Sequence, residues 1–305
     1  MRNQEKNPPV FQGAATALIT PFRDGAPDFE ALGRLIDRQI VCGIDALVLL
    51  GTTGENATLS EKEREDVVRF SLSRIDGRVP AIVGVGSPDT SAAVRYTRFA
   101  AKAGADAVLA VTPYYNKGTS RGIREYYRLL AEEGVPVIVY HVPSRTGVSL
   151  SVEDYVALAE IPGIVGIKEA GGDLARAAHT MEAVGEKITL YSGNDSETLP
   201  FLSLGACGVI SVLSNLFPGE VHTLCHRWFE GDVKGSGEVF YRFLPLSRLL
   251  FAETNPTPVK CAASLMGLCL PDVRLPLTAA TATTAKLLSC ELARLGAENP
   301  HSRKS

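Results

Sequence analysis

Short apolar, β-branched runs alternate with longer amphipathic stretches along most of the chain. The runs are Ala15–Ile19, Ala46–Leu50, Ala81–Val85, Ala107–Val111, Val135–Tyr140, Ile164–Ile167, Ile188–Tyr191 and Val209–Val212. Continuous runs of this kind suit strands buried on both faces, as in a parallel sheet. The stretches between them repeat at helical spacing: Leu32, Leu35, Ile36 and Ile40 fall on one face. Helix starts are marked by Ser60-x-x-Glu63, by Asp89–Thr90 and by Ser151, and Gly43, Gly104 and Gly134 stand where helices should end. Eight such units predict an α/β fold, a closed (β/α)8 TIM barrel, since a doubly wound sheet usually has fewer strands and no G-x-G-x-x-G follows the first run. From Pro218 to about Leu295 the pattern reads as helix throughout, more than one closing helix needs. The predicted organisation is an N-terminal tail over 1–12, the barrel over 13–230, a C-terminal helical extension over 231–296 and a disordered tail over 297–305.

Composition narrows the partners. With 45% hydrophobic and 21% charged residues in 305, the chain has the make-up of an ordinary globular protein. Lys and Arg number 31 against 34 Asp and Glu, a net charge of −3 with no basic run, so neither nucleic acid nor an anionic membrane is an expected partner. The start lacks an apolar signal segment, and no stretch approaches the roughly 18–20 apolar residues of a membrane helix, so a cytoplasmic location is expected. Six scattered cysteines without a C-x-x-C pair read as reduced thiols. Of the five histidines, His222 and His226 form an i,i+4 pair; with no intervening Glu motif it reads as a helix face rather than a zinc site, and no metal or organic cofactor is expected.

In a barrel, chemistry gathers where strands run out into βα loops. Gly51-Thr52-Thr53-Gly54-Glu55 follows the second run, Thr112-Pro113-Tyr114-Tyr115-Asn116 the fourth and Tyr140-His141-Val142-Pro143-Ser144-Arg145-Thr146-Gly147 the fifth. Lys168-Glu169 ends the sixth, Ser192-Gly193-Asn194-Asp195 the seventh, and Ile210-Ser211 lies in the eighth. Lys168 would project into the barrel mouth above apolar neighbours, where desolvation favours the neutral amine that attacks carbonyls. The alternative is a stabilising pair with Glu169. Tyr140, on the neighbouring strand, is placed to move the protons of carbinolamine formation and loss. Thr52 and Tyr115 extend a relay to solvent, and the Thr52–Thr53 turn offers amides and hydroxyls to a carboxylate. Arg145 suits a bidentate contact to an acid group on a second substrate, against the alternative of a surface ion pair.

GTTGE, TPYYN, VPSRTG, GIKEA, SGND and GVISV, in this order and on these strands, resemble the dihydrodipicolinate synthase and N-acetylneuraminate lyase superfamily over about Gly13 to Leu295. The resemblance implies that Lys168 forms a pyruvate imine, that Tyr140 is proton donor and acceptor, and that Thr52 with Tyr115 completes the relay. It also implies that Thr53, Gly193 and Ile210 contact substrate and that Arg145 holds the carboxylate of the aldehyde. Tyr115 would come from an adjacent subunit of a homo-oligomer, a dimer of dimers. VPSRTG resembles the synthase branch, implying a Schiff-base lyase that condenses pyruvate with L-aspartate 4-semialdehyde on the diaminopimelate route to lysine. The rivals are a pyruvate aldolase acting on a keto-deoxy sugar acid, and a metabolite-sensing barrel that would be marked by loss of the lysine or tyrosine; both residues are kept. Three departures stand out. His141 replaces a common asparagine, Thr257 replaces a common aliphatic residue, and Pro88 and Ala92 occupy positions where lysine-regulated relatives carry asparagine and glutamate, implying weak or absent inhibition by L-lysine.

Overall fold

A computed structural model describes residues 8–297. Eight parallel strands close into a barrel: β1 (Gly13–Ala17), β2 (Ala46–Leu49), β3 (Ala81–Gly84), β4 (Ala107–Val111), β5 (Val137–His141), β6 (Ile164–Glu169), β7 (Thr189–Ser192) and β8 (Gly208–Ser211). Each pairs with its successor, and β8 returns to β1 in the register Gly13↔Gly208. Helices α1 (Phe29–Val41), α2 (Glu61–Ile75), α3 (Thr90–Ala103), α4 (Ser120–Ala131), α5 (Val152–Ala159), α6 (Leu174–Val184), α7 (Thr198–Ser203) and α8 (Pro218–Phe229) follow the strands in turn. The eightfold alternation expected from the sequence is therefore the fold.

Alternation along each strand divides the buried side chains into two sets. Ala15, Val48, Leu109, Ile138, Tyr140 and Ile210 fill the lumen, while Leu47, Val83, Val108, Val137 and Val209 face the helices in the larger core. The helix ends follow the sequence signals: Ser60 and Glu63 form a capping box, as do Ser151 and Asp154, and Asp89 accepts from the Ser91 amide. Gly43, Gly104 and Gly134 take φ of 83°, 92° and 79°, a left-handed conformation cheap only for glycine.

Two expectations are corrected. The first strand begins and ends two residues earlier than the apolar run: the Leu18 amide makes the last bond to the neighbouring strand, to the Val48 carbonyl at 2.9 Å, and the Ile19 amide donates to the Asn215 side chain instead. The segment after α8 is not helical throughout. It comprises α9 (Val233–Leu249), α10 (Thr257–Leu265) and α11 (Ala282–Arg294), with 250–256 and 266–281 irregular. Pro256, Pro271 and Pro276 lack the amide a helix needs, and Gly267 at φ 75° ends the turn before the second gap. Within the predicted N-terminal tail, Phe11 is buried and stacks on Tyr191 at 4.3 Å. Of the predicted disordered tail, 298–305 lie outside the described residues, as do 1–7. No helix among the described residues is long and apolar enough to cross a membrane.

Candidate active site

A cleft of about 560 Å³ opens at the carboxyl ends of the strands, where segment 251–255 of the C-terminal extension forms one wall. That volume lies within the range of small-molecule sites. Thr53, Tyr140, Arg145, Lys168 and Gly193 line it together.

β5 and β6 set the centre. Their register pairs Tyr140 with Lys168 and His141 with Glu169, so the side chains of successive residues leave on opposite faces. Lys168 points inward, is 5% exposed, and holds its Nζ 4.2 Å from the centre of the Tyr140 ring. Among the described residues it makes no salt bridge. Glu169 points outward into the helix layer. Its carboxylate accepts from His141 Nδ1 at 2.8 Å, from the Tyr155 hydroxyl at 2.7 Å and from the Gly171 amide, with Arg176 at 3.6 Å. Burial pushes this carboxyl up, but His141, Tyr155 and Arg176 together hold it below its ordinary 4.5. The stabilising Lys168–Glu169 pair considered from sequence is thus absent, because alternation along a strand separates the two.

His141 belongs to that outer layer and is fully buried. The Leu150 amide donates to its Nε2 at 3.1 Å, which places the ring proton on Nδ1, facing Glu169. It therefore ties the loop after β5 to β6.

Gly193 is required by packing at the end of β7. Its amide donates to the Glu169 carbonyl at 2.7 Å, and a Cβ there would lie 2.7 Å from that of Ala170 and 2.9 Å from the same carbonyl. Two residues on, Asp195 accepts from the Ser211 hydroxyl and the amides of Val212 and Leu213, fixing the exit of β8. Burial raises its pKa; the hydrogen bonds and the Lys168 charge oppose the rise.

The GTTGE segment forms a tight helical turn over Thr52–Gly54. As its first residues, Thr52 and Thr53 have amides with no acceptor inside the turn. The C-terminal extension braces it: the Asn255 side chain donates to Thr53 Oγ1 at 3.0 Å, Lys260 pairs with Glu55 at 2.5 Å, and the Arg274 amide donates to Glu55 at 3.0 Å. Asn255 also accepts from Arg145 Nη2 through its backbone carbonyl at 3.1 Å. One residue of the extension thus holds both the turn and the rim arginine. In the sequence Asn255 is marked by nothing but the Asn255-Pro256-Thr257-Pro258 punctuation, which points to no role at the site.

Three expected site residues stand apart from the cleft. Ile210 is fully buried in the lumen beneath it, in the same cluster as Tyr140. Thr52 lies on the turn but outside the lining. Tyr115 is 91% exposed. Its φ is 71°, and Lys117, Leu50 and Glu55 also adopt positive φ, so the loops after β2 and β4 carry left-handed non-glycine residues. Each costs on the order of 1–3 kcal/mol and persists where its surroundings enforce it, commonly at functional sites.

A barrel whose cleft holds a buried lysine beside a tyrosine defines the class: a (β/α)8 protein with the equipment of a carbonyl-condensing lyase. A model of the dihydrodipicolinate synthetase family matches residues 10–293, and the chain belongs to that family. It is 46% identical over 269 residues, covering 88% of this chain and 92% of the other, to a 4-hydroxy-tetrahydrodipicolinate synthase of Nitratidesulfovibrio vulgaris. Among solved structures, the dihydrodipicolinate synthase of Aquifex aeolicus superposes with a TM-score of 0.93 at 42% identity, covering 95% of this chain and all of that one. The chloride-inhibited enzyme of Acinetobacter baumannii, complexed with pyruvate, superposes with 0.92 at 39% identity over 94% and 99% of the two chains.

Proposed function

We propose that this protein condenses pyruvate with L-aspartate 4-semialdehyde, with Lys168 as the Schiff-base residue, as a 4-hydroxy-tetrahydrodipicolinate synthase of lysine biosynthesis. The observation that carries the reading is Lys168 itself: buried, in no salt bridge among the described residues, over the Tyr140 ring and open to a cleft with an arginine at its rim. The amine attacks the ketone carbon of pyruvate, and the Tyr140 hydroxyl supplies the proton with which the carbinolamine oxygen leaves as water. The pyruvate carboxylate is received at the Thr52–Thr53 turn, whose Thr53 lines the cleft, beside Gly193 and above Ile210. Loss of a methyl proton gives the enamine, which attacks the aldehyde carbon. The substrate amine then displaces Lys168 as the ring closes, which restores the free enzyme without any cofactor. A cytoplasmic location belongs to the same proposal, in keeping with six scattered cysteines that the sequence reads as reduced thiols. Measured condensation with aspartate semialdehyde, against little with keto-deoxy sugar acid precursors, tests the assignment.

Arg145 faces the second substrate. Arg145→Ala is expected to lower kcat/KM for aspartate semialdehyde roughly 10- to 150-fold, the equivalent of losing one charge-assisted contact of about 1.5–3 kcal/mol. Pyruvate trapping on Lys168 should survive. Equal loss in both steps would make Arg145 structural, through its bond to Asn255.

Tyr115 serves a second copy of the chain in this reading, which its exposure, its φ of 71° and its position outside the lining of its own cleft support. Here the assembly is a dimer of dimers in which Tyr115 of the neighbouring copy joins Thr52 and Tyr140 of the chain that carries Lys168 to complete each relay. Mixing inactive Lys168→Ala subunits with inactive Tyr115→Phe subunits should restore part of the activity through hybrid sites. Subunit exchange seen by mass without recovery would return Tyr115 to its own site.

L-Lysine is expected to inhibit weakly or not at all. Pro88 and the buried Ala92 offer no side-chain acceptor for an ammonium, and the Pro88 carbonyl is taken by the Asn116 side chain. Steady-state rates at millimolar lysine decide this; strong cooperative inhibition would show that other side chains form the site.

A further inference from the structure

At the amino ends of the strands, opposite the cleft, Asp45 meets both histidines of α8. His222 Nδ1 lies 3.0 Å from Asp45 Oδ2, and His226 Nε2 lies 2.9 Å from Asp45 Oδ1. The two rings face each other with centroids 3.9 Å apart, and the three ligand atoms all lie within 4.8 Å of one another. The residues are partly buried, with side-chain exposures of 15% for Asp45, 32% for His222 and 39% for His226.

The sequence alone read His222 and His226 as a helix face. It could not show that an aspartate separated from them by 177 and 181 positions faces both rings. Asp45 just precedes β2, and its Oδ2 accepts from the Ala14 amide at 2.8 Å, which fixes the carboxylate against β1. The histidines sit one turn apart on α8, so their rings project side by side. Backbone and helix therefore fix all three donors before any ion arrives, which lowers the ordering cost of binding.

We propose that Asp45, His222 and His226 form a binding site for a divalent transition metal of the zinc class. Two imidazoles and one carboxylate are the donor set such ions favour, and three protein ligands leave one position for water. The site lies at the seam where β1 meets β2 and α8 packs beneath. An ion there clamps the last barrel helix to the first two strands, and it stabilises the folded chain because the ligands converge only after folding. Its position away from the cleft makes it independent of the condensation chemistry.

The test is titration of Zn2+ into the chelator-treated full chain without added histidines, followed by calorimetry, and of Co2+, followed by visible absorption. The expected result is one equivalent per chain, a rise in melting temperature with Zn2+, and cobalt bands of a low-coordinate N/O site. His222→Gln with His226→Gln, on a partly exposed helix face, should abolish binding and the melting shift while condensation activity stays unchanged. Asp45→Asn should weaken binding more than roughly tenfold, since even outer-sphere partners of metal ligands are worth about 10- to 100-fold. Absence of binding in the native chain, or stoichiometric binding that persists in the double histidine variant, would overturn the proposal.

Discussion

Lys168→Ala is expected to remove condensation by several orders of magnitude while leaving the barrel folded. A nucleophile that forms a covalent intermediate cannot be replaced by binding and proton transfer alone, and its loss costs about as much as loss of the whole constellation. The fold should tolerate the change because Lys168 makes no salt bridge among the described residues and its ammonium lies against the face of Tyr140. Steady-state kinetics with both substrates, together with circular dichroism and a melting curve, separate the two effects. A variant that keeps more than a small fraction of activity, or one that fails to fold, would count against the assigned role.

The neighbouring residue should behave in the opposite way. Glu169→Ala removes the acceptor shared by His141, Tyr155 and the Gly171 amide in a buried layer. Removing one partner from such a buried ionic network costs about 3–5 kcal/mol. Glu169→Gln keeps an acceptor and should cost less, about 1–3 kcal/mol. The network also predicts a direction with pH. The Glu169 carboxyl titrates below its ordinary 4.5 in the folded chain. Its ionisation therefore contributes stability that is complete above the unfolded value and is lost as pH falls through the lower folded value. Denaturant melts between pH 7 and 3 should show a steeper acid loss in the native chain than in Glu169→Gln; parallel curves would mean that the carboxylate is not held as described.

The contrast between these neighbours explains what could be read from the sequence. Apolar runs marked the eight strands because parallel strands of a barrel are buried on both faces, and a residue that ends such a run falls at the mouth. Lys168 and Tyr140 are therefore legible as neighbours in the sequence alone. The outward role of Glu169 was legible in principle from alternation, but its partners were not, since Tyr155 comes from a helix and His141 from the adjacent strand. Asn255 was not legible at all: it reaches Thr53 across 202 positions, from an irregular segment that helical periodicity ran straight through. Asp45 stayed hidden for the same reason, because periodicity within α8 says nothing about what lies opposite it. The exposure of Tyr115 likewise depends on loop conformation, which left-handed residues set and hydrophobic pattern does not report.

Borohydride reduction in the presence of pyruvate reads out the Lys168 Schiff base itself, because only an imine is fixed irreversibly by that reagent. The expected result is one reduced pyruvate per chain, mapped by peptide mass to Lys168 and absent from Lys168→Ala. A native chain that acquires no adduct, or an adduct that persists in Lys168→Ala, would contradict it.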